Sequence, residues 1–396
     1  MQRLPFRQKQ FAMESTQNRL SSLLEAFRSV EDPRIDRSKL YPLIEILFLT
    51  TSAVLSGFEE WDEIVDFGEE KFDWLRKYLA YENGIPSHDT VNRVISMIDY
   101  RMFEECFINW ATMDIELPQG TVINIDGKKL RSSATKKEQQ TPHAQGGKSA
   151  IHLVHAWCHE LQLCLAQYKT DTKSNEITAI PVILDFLEIS GCIITVDAMG
   201  CQKTIAEKIV SKGGDYIMGL KDNQEALNLA AFTAFFEQEE RANADKELWE
   251  VKNHGRKESR LCRVLPAEML PHWAEASDWK GLKSVVEIQS QRTVISTGVI
   301  ENETRYYISS LAVDAPAFNR LIRSHWNVEN QLHWSLDVIF GEDQSRKRIR
   351  NAAQNFSTIR KMALNLLKAQ TEKISVNRKR NKCALSDQYR EKTLGI

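Results

Sequence analysis

Two apolar runs of the sequence end on an aspartate. In TVINIDGKKL, Thr121–Leu130, Val122, Ile123 and Ile125 lead into Asp126 and then Gly127; in CIITVDAMG, Cys192–Gly200, Ile193, Ile194 and Val196 lead into Asp197. A strand built for a core does not bury an unpaired carboxylate, which is costly unless a cation meets it. Two such strand ends brought together suit a hard divalent cation, which prefers oxygen ligands. Holding two magnesium ions a few ångströms apart needs a third acid. SHWNVENQLHW, Ser324–Trp334, supplies Glu329, one helical turn from both His325 and His333.

Other groups offer competing chemistry. His325, Glu329 and His333 form a polar helical stripe that would suit zinc in a metallohydrolase, but the HExxH spacing is missing and both strand-end aspartates are left unexplained. His152 and His155 point to opposite faces of a strand, which weakens a zinc site made with His159. Lys128, Lys129 and Arg131 follow Asp126 closely enough to grip phosphates, with an exposed turn as the plain alternative. HGRKESR offers His254, Arg256 and Arg260 to a phosphate or a flipped base, or else forms a solvated charged strand. Trp326 and Trp334 read as core packing.

The elements that must position these residues follow from periodicity and breakers. Residues 1–15 are read as a flexible leader and 16–116 as an all-helical region. In it LIEILFLTTSAVLSG is a buried helix, and GIPSHDTVNRVISMI is a helix capped by Ser87 with an apolar face of Val91, Val94 and Ile95. That helix is a candidate second helix of a helix-turn-helix, against an ordinary bundle helix in an acidic region. Strands follow: TVINIDG, a hairpin of SAIHLVHAWCH and LQLCLAQYKT, the helix EITAIPVILDFLEIS, then CIITVD, a helix through CQKTIAEKIVSKGG, and DYIMGLK. Three strands, helix, strand, helix, strand is the order of a ribonuclease H-like core. It sets the first and fourth strands side by side, and Asp126 beside Asp197. The expected fold is α/β, with the core over 117–221 and 305–350, a β-rich insertion over 222–304 and a basic helical tail over 351–396.

At 396 residues the chain is long enough for two or three domains. Its seven cysteines, an odd number with no CxxC pair, argue against a disulfide framework and a four-cysteine zinc site. No apolar run approaches the roughly 20 residues of a membrane helix, so the default compartment is cytoplasmic. The net charge of −2 conceals an uneven distribution: Gln344–Ile396 carries fourteen Lys and Arg against three Asp and Glu, a net +11. Such a block can neutralise phosphates, or it can be a solvated tail.

The sequence resembles the DDE-type transposases of bacterial insertion sequences, and most closely the H-repeat-associated transposase family. The resemblance runs from about Leu20 through the helix after Asp343 and rests on IDGK with LRSS, TVDAMGCQ, HGRKESR, YYISSL and HWNVENQLHWSLDVIFGED. It implies that Asp126, Asp197 and Glu329 are the catalytic acids and hold two Mg2+ ions, with Mn2+ as substitute, for phosphoryl transfer without a protein nucleophile. It further implies DNA as partner, both element ends and target, a homodimer on DNA, and a nucleoid-associated location. Arg323 and His325 join Lys128, Lys129, Arg131, Arg256 and Arg260 as expected DNA-binding residues. A departure stands beside it: where many relatives carry a Tyr, Arg and Lys signature around the glutamate, this chain has Ile322, His325 and Leu336. A catalytically silent DNA-binding descendant is the alternative of a different class.

Overall fold

The computed structural model describes residues 19–113, 115–134, 149–170, 176–239, 245–253, 255–271 and 278–395. The expected leader, residues 1–15, and His254 lie outside them. Before Thr121 the regular elements among the described residues are helices: α1 (Arg19–Ser29), α2 (Leu43–Leu55), α3 (Trp61–Glu70), α4 (Phe72–Leu75), α5 (His88–Met97) and α6 (Tyr100–Thr112). Caps set their starts. The Ser87 hydroxyl accepts from Thr90 N at 3.4 Å to open α5, and the Asp99 carboxylate accepts from Arg101 N and Met102 N to open α6. Val91, Val94 and Ile95 are the buried face of α5.

The stretch Asp36–Leu55 does have the length and apolar composition of a membrane-crossing helix, unlike the sequence expectation. Its α2 portion is largely apolar, and twelve of its thirteen residues are buried, with α11 (Ala352–Ala369) packed against it. The last helices, α11, α12 (Val376–Leu385) and α13 (Asp387–Leu394), therefore complete the helical layer begun by the first six. Lys361, Lys379, Arg380 and Arg390 are buried there, and their charges are met inside the fold. Arg380 donates to Glu59 at 2.7 Å and Lys361 lies 3.5 Å from Glu342. The idea of the C-terminal charge as one DNA-facing block is corrected for these four cations, because burial without a partner would be prohibitive.

One nine-stranded sheet runs through the rest, in the order β3-β2-β1-β4-β5-β9-β8-β7-β6. Its strands are β1 (Val122–Leu130), β2 (Ile151–Cys158), β3 (Leu163–Lys169), β4 (Ile193–Val196), β5 (Asp215–Leu220), β6 (Asp245–Asn253), β7 (Arg256–Pro266), β8 (Ser284–Val294) and β9 (Ile300–Ser309). β1 is antiparallel to β2 and parallel to β4, and β4 is parallel to β5. β9 pairs antiparallel with β5 through Tyr306–Ser309, just past the segment read as an insertion, so the polar groups of β5's outer edge are hydrogen-bonded, and β8, β7 and β6 of that segment extend the same sheet. Helices α7 (Glu176–Phe186) and α8 (Lys203–Ser211) pack with Ile123, Ile125, Ile194 and Val196. Helix α9 (Glu225–Glu239) precedes β6, and α10 (Ala315–His325) packs with Ile193 and Ile217. Since neighbours along a strand face opposite ways, α7 and α10 lie on opposite faces of the sheet.

Candidate active site

The parallel ladder between β1 and β4 ends at the pair Ile125 and Val196. The next residue on each side is an aspartate, so Asp126 and Asp197 stand side by side where the ladder stops; Asp197 directly follows β4, whereas β1 runs on past Asp126 to Leu130 in register with β2, which corrects the expectation that both acids end their strands. Asp197 Oδ1 accepts from Gly200 N at 3.1 Å, which curls the following loop around the carboxylate. Gly219 on β5 makes room for that loop, as a Cβ there would lie 3.3 Å from Ala198 N.

A third carboxylate, missed by sequence reasoning, completes the group. Glu176, in the first turn of α7, presents a ligand atom within 4.8 Å of those of both Asp126 and Asp197, and this is the one such trio among the described residues. It approaches over Gly127, where a Cβ would lie 2.0 Å from Glu176 Oε1. His152 Nε2 lies 3.0 Å from the same oxygen. The sequence signal is the IDG motif, with a glycine directly after the acid, but nothing in it names the residue that fills the gap.

Burial and the neighbouring charges of Glu176, Asp197 and Glu329 push the Asp126 carboxyl up to about 8. Asp197 is raised by burial and by Glu176. The acids thus repel one another, and all the donors are hard oxygens. This composition fits a divalent cation and does not fit zinc held by histidines.

Glu329 stands beside this group, not within it. It is exposed, on the π-helical turn Val328–His333 that follows α10, and burial raises its carboxyl. A second π-helical turn, Ser335–Ile339, comes next. Such wide turns inside a helix are frequent at functional sites because they re-aim side chains. The histidines flanking Glu329 have other partners. His325 Nδ1 is 2.8 Å from Thr195 Oγ1, which also accepts from Asn124 Nδ2 at 2.7 Å. His333 lies 3.1 Å from His155 and 3.7 Å from Asp126 Oδ2. Burial holds His325 down to about 4 and His333 down to about 3, so both stay neutral. The helical zinc trio is not assembled.

The expected DNA-binding residues divide. Lys129 and Arg256 are exposed, as are the side chains of Arg131 and Arg323. Arg131 reaches Asp343 at 3.2 Å, and Arg323 stacks over Trp249 at 4.0 Å. Lys128 is corrected: it is buried between Asp337, Glu342 and Asp343, and these charges hold its ammonium firmly protonated. Arg260 is buried on the sheet face under α10, and His325 is occupied with Thr195, so neither presents itself to a phosphate. Trp326 is partly buried with Arg305 over its ring, but Trp334 is 54% exposed, so the core-packing expectation fails for it.

Residues 117–366 match the family model described as "Transposase DDE domain", and residues 24–111 match "DDE_Tnp_1-associated". The chain is 44% identical over 377 residues to the Escherichia coli (strain K12) protein named "H repeat-associated putative transposase YhhI", covering 93% of this chain and 97% of that one. It is 43% identical to "Putative transposase YncI" of Escherichia coli O157:H7, covering 95% of each. Among solved structures, a piggyBac transposase synaptic complex with hairpin DNA superposes with a TM-score of 0.41 at 10% identity, over 94% of this chain and 78% of that one.

Proposed function

Because the chain belongs to the transposase DDE-domain family, we propose that it cuts and rejoins DNA at the ends of an insertion sequence by metal-dependent phosphoryl transfer. The observation that carries this reading is the placement of Asp126 and Asp197 side by side just past the end of the parallel β1–β4 ladder, with ligand atoms within 4.8 Å. The strand order β3-β2-β1-β4-β5, with helices after β3 and β4, supports a ribonuclease H-like core.

Asp126 and Asp197 would hold the cations, and Glu329 would close the site from the α10 side; Mg2+ or Mn2+ bound there would supply charge stabilisation and lower the pKa of a water or terminal 3′-hydroxyl. The chain's own part is to position DNA: Lys129, Arg131, Arg256 and Arg323 offer exposed cations to backbone phosphates, which fix register without reading sequence. The working form is read as a homodimer on DNA in the nucleoid.

The test is Mg2+-dependent nicking of a plasmid carrying the DNA segments that flank the gene. Wild type cleaves. Asp126→Asn, Asp197→Asn and Glu329→Gln each lose cleavage by orders of magnitude while DNA binding survives, since positioned charge supplies most of the stabilisation in phosphoryl transfer. Unimpaired cleavage by Glu329→Gln, with loss in His325→Ala and His333→Ala, would restore the zinc reading. Tight DNA binding by a wild-type protein that never cleaves would favour the silent descendant.

A further inference from the structure

We propose that Glu176 is a ligand of the same divalent cation as Asp126 and Asp197, and that this site is built before DNA arrives and independently of Glu329. The proposal rests on the metal-dependent reading above and deepens it. Three elements each deliver one carboxylate, β1, β4 and α7, and their ligand atoms lie within 4.8 Å of one another. Glu329 is outside that trio and comes from the π-helical turn after α10.

The approach of Glu176 is prepared in the backbone. At Gly127 the space of a side chain is taken by the glutamate: a Cβ would meet Oε1 at 2.0 Å, Cδ at 2.4 Å and His152 Nε2 at 2.5 Å. Glycine is therefore the residue that lets an acid from the α7 face reach the acid that β1 presents on the other. His152, 3.0 Å from Oε1, is a positioning residue that fixes the carboxylate's direction. Charge bookkeeping agrees. Two divalent cations facing Asp126, Asp197 and Glu329 alone keep one uncompensated positive charge, whereas four carboxylates balance them. The geometry divides the four unequally, into a close trio that forms the first site and Glu329 beside it, which contributes to the second.

The experiment is Mn2+ binding to DNA-free protein, followed by the paramagnetic resonance of free Mn2+. Wild type and Glu329→Gln are each expected to bind one ion, the variant with a change in affinity well short of that in Glu176→Gln. Glu176→Gln should weaken it by about tenfold or more, as loss of a ligand or its support does at metal sites. Glu176→Gln should keep its melting temperature in EDTA, since a carboxylate that repels its neighbours has been removed. If Glu176→Gln does not fold, Glu176→Asp, which withdraws the carboxylate by one methylene, serves instead, with weakened binding again expected. Wild-type affinity in the folded Glu176 variant, or an equal loss in Glu329→Gln, overturns the proposal. If Asp126→Asn and Asp197→Asn lose Mn2+ while Glu176→Gln keeps it, only this proposal falls; if those two also bind as wild type does, the metal-dependent reading falls with it.

Discussion

Lys128 Nζ lies 3.0 Å from Glu342 Oε2, across 214 residues of sequence, in the interior of the protein. Lys128 is two residues past Asp126 on β1. Its ammonium also meets Asp337 at 2.7 Å and Asp343 at 3.2 Å, while Glu342 reaches the Ser357 hydroxyl at 2.6 Å and Lys361 at 3.5 Å. The pair ties the strand that carries the first acid to the loop after the second π-helical turn and to α11. It thereby holds the Glu329 side of the site against the Asp126 side.

Lys128→Met is expected to cost about 3–5 kcal/mol, because it leaves Glu342 buried with one of its two cations gone. Urea denaturation measures this. Lys129→Ala and Arg131→Ala, on exposed side chains, should leave stability within about 0.5 kcal/mol and instead lower DNA affinity and the steepness of its salt dependence. Equal destabilisation by all three would contradict the division drawn here.

Gly127→Ala places a methyl group where Glu176 now sits. The carboxylate must retreat. Stabilisation of the protein by Mg2+, read as a rise in melting temperature over the EDTA sample, should shrink to a small fraction of the wild-type effect. A full Mg2+ response in the alanine variant would mean that Glu176 is not needed close by.

His325 is held down to about 4 by burial, against an ordinary 6.5. A group depressed in the folded state contributes stability that is complete above the unfolded value and is lost as pH falls through the folded one. Acidification from about pH 6.5 to 4 should therefore remove stability through His325, up to about 3 kcal/mol. His325→Asn, which cannot titrate and retains a partner for Thr195, should show a correspondingly flatter loss over that window. Parallel pH profiles for the two proteins would refute the assignment.

Arg380 donates to Glu59, to the Val54 carbonyl at 2.8 Å and to the Ile339 carbonyl, and its ring-stacked guanidinium lies 4.1 Å over Phe340. Arg380→Glu should unfold or severely destabilise the protein, by more than about 3 kcal/mol, since it buries an acid beside half-buried Glu59. Arg378→Glu should not. Circular dichroism of the two variants decides between a structural cation and a DNA-facing one.

Sequence alone was sufficient for what depends on local pattern. Alternating and continuous apolar runs set the strands, Ser87 set a helix start, and the order of elements implied that the first and fourth strands are neighbours, from which the meeting of Asp126 and Asp197 follows. Glu176 was hidden because an acid in the first turn of a helix is what the helix dipole favours anyway; only the distance from α7 to Gly127 distinguishes a ligand from a helix-end charge. Lys128 read as a phosphate grip for a similar reason. Its sequence neighbours are basic, and the carboxylates that claim it lie more than 200 residues away. The four buried cations of the last helices, and exposed Trp334, followed the same rule. Composition records that a charge or a ring exists, whereas its burial and its partner are properties of packing between distant segments, and those the tertiary structure decided.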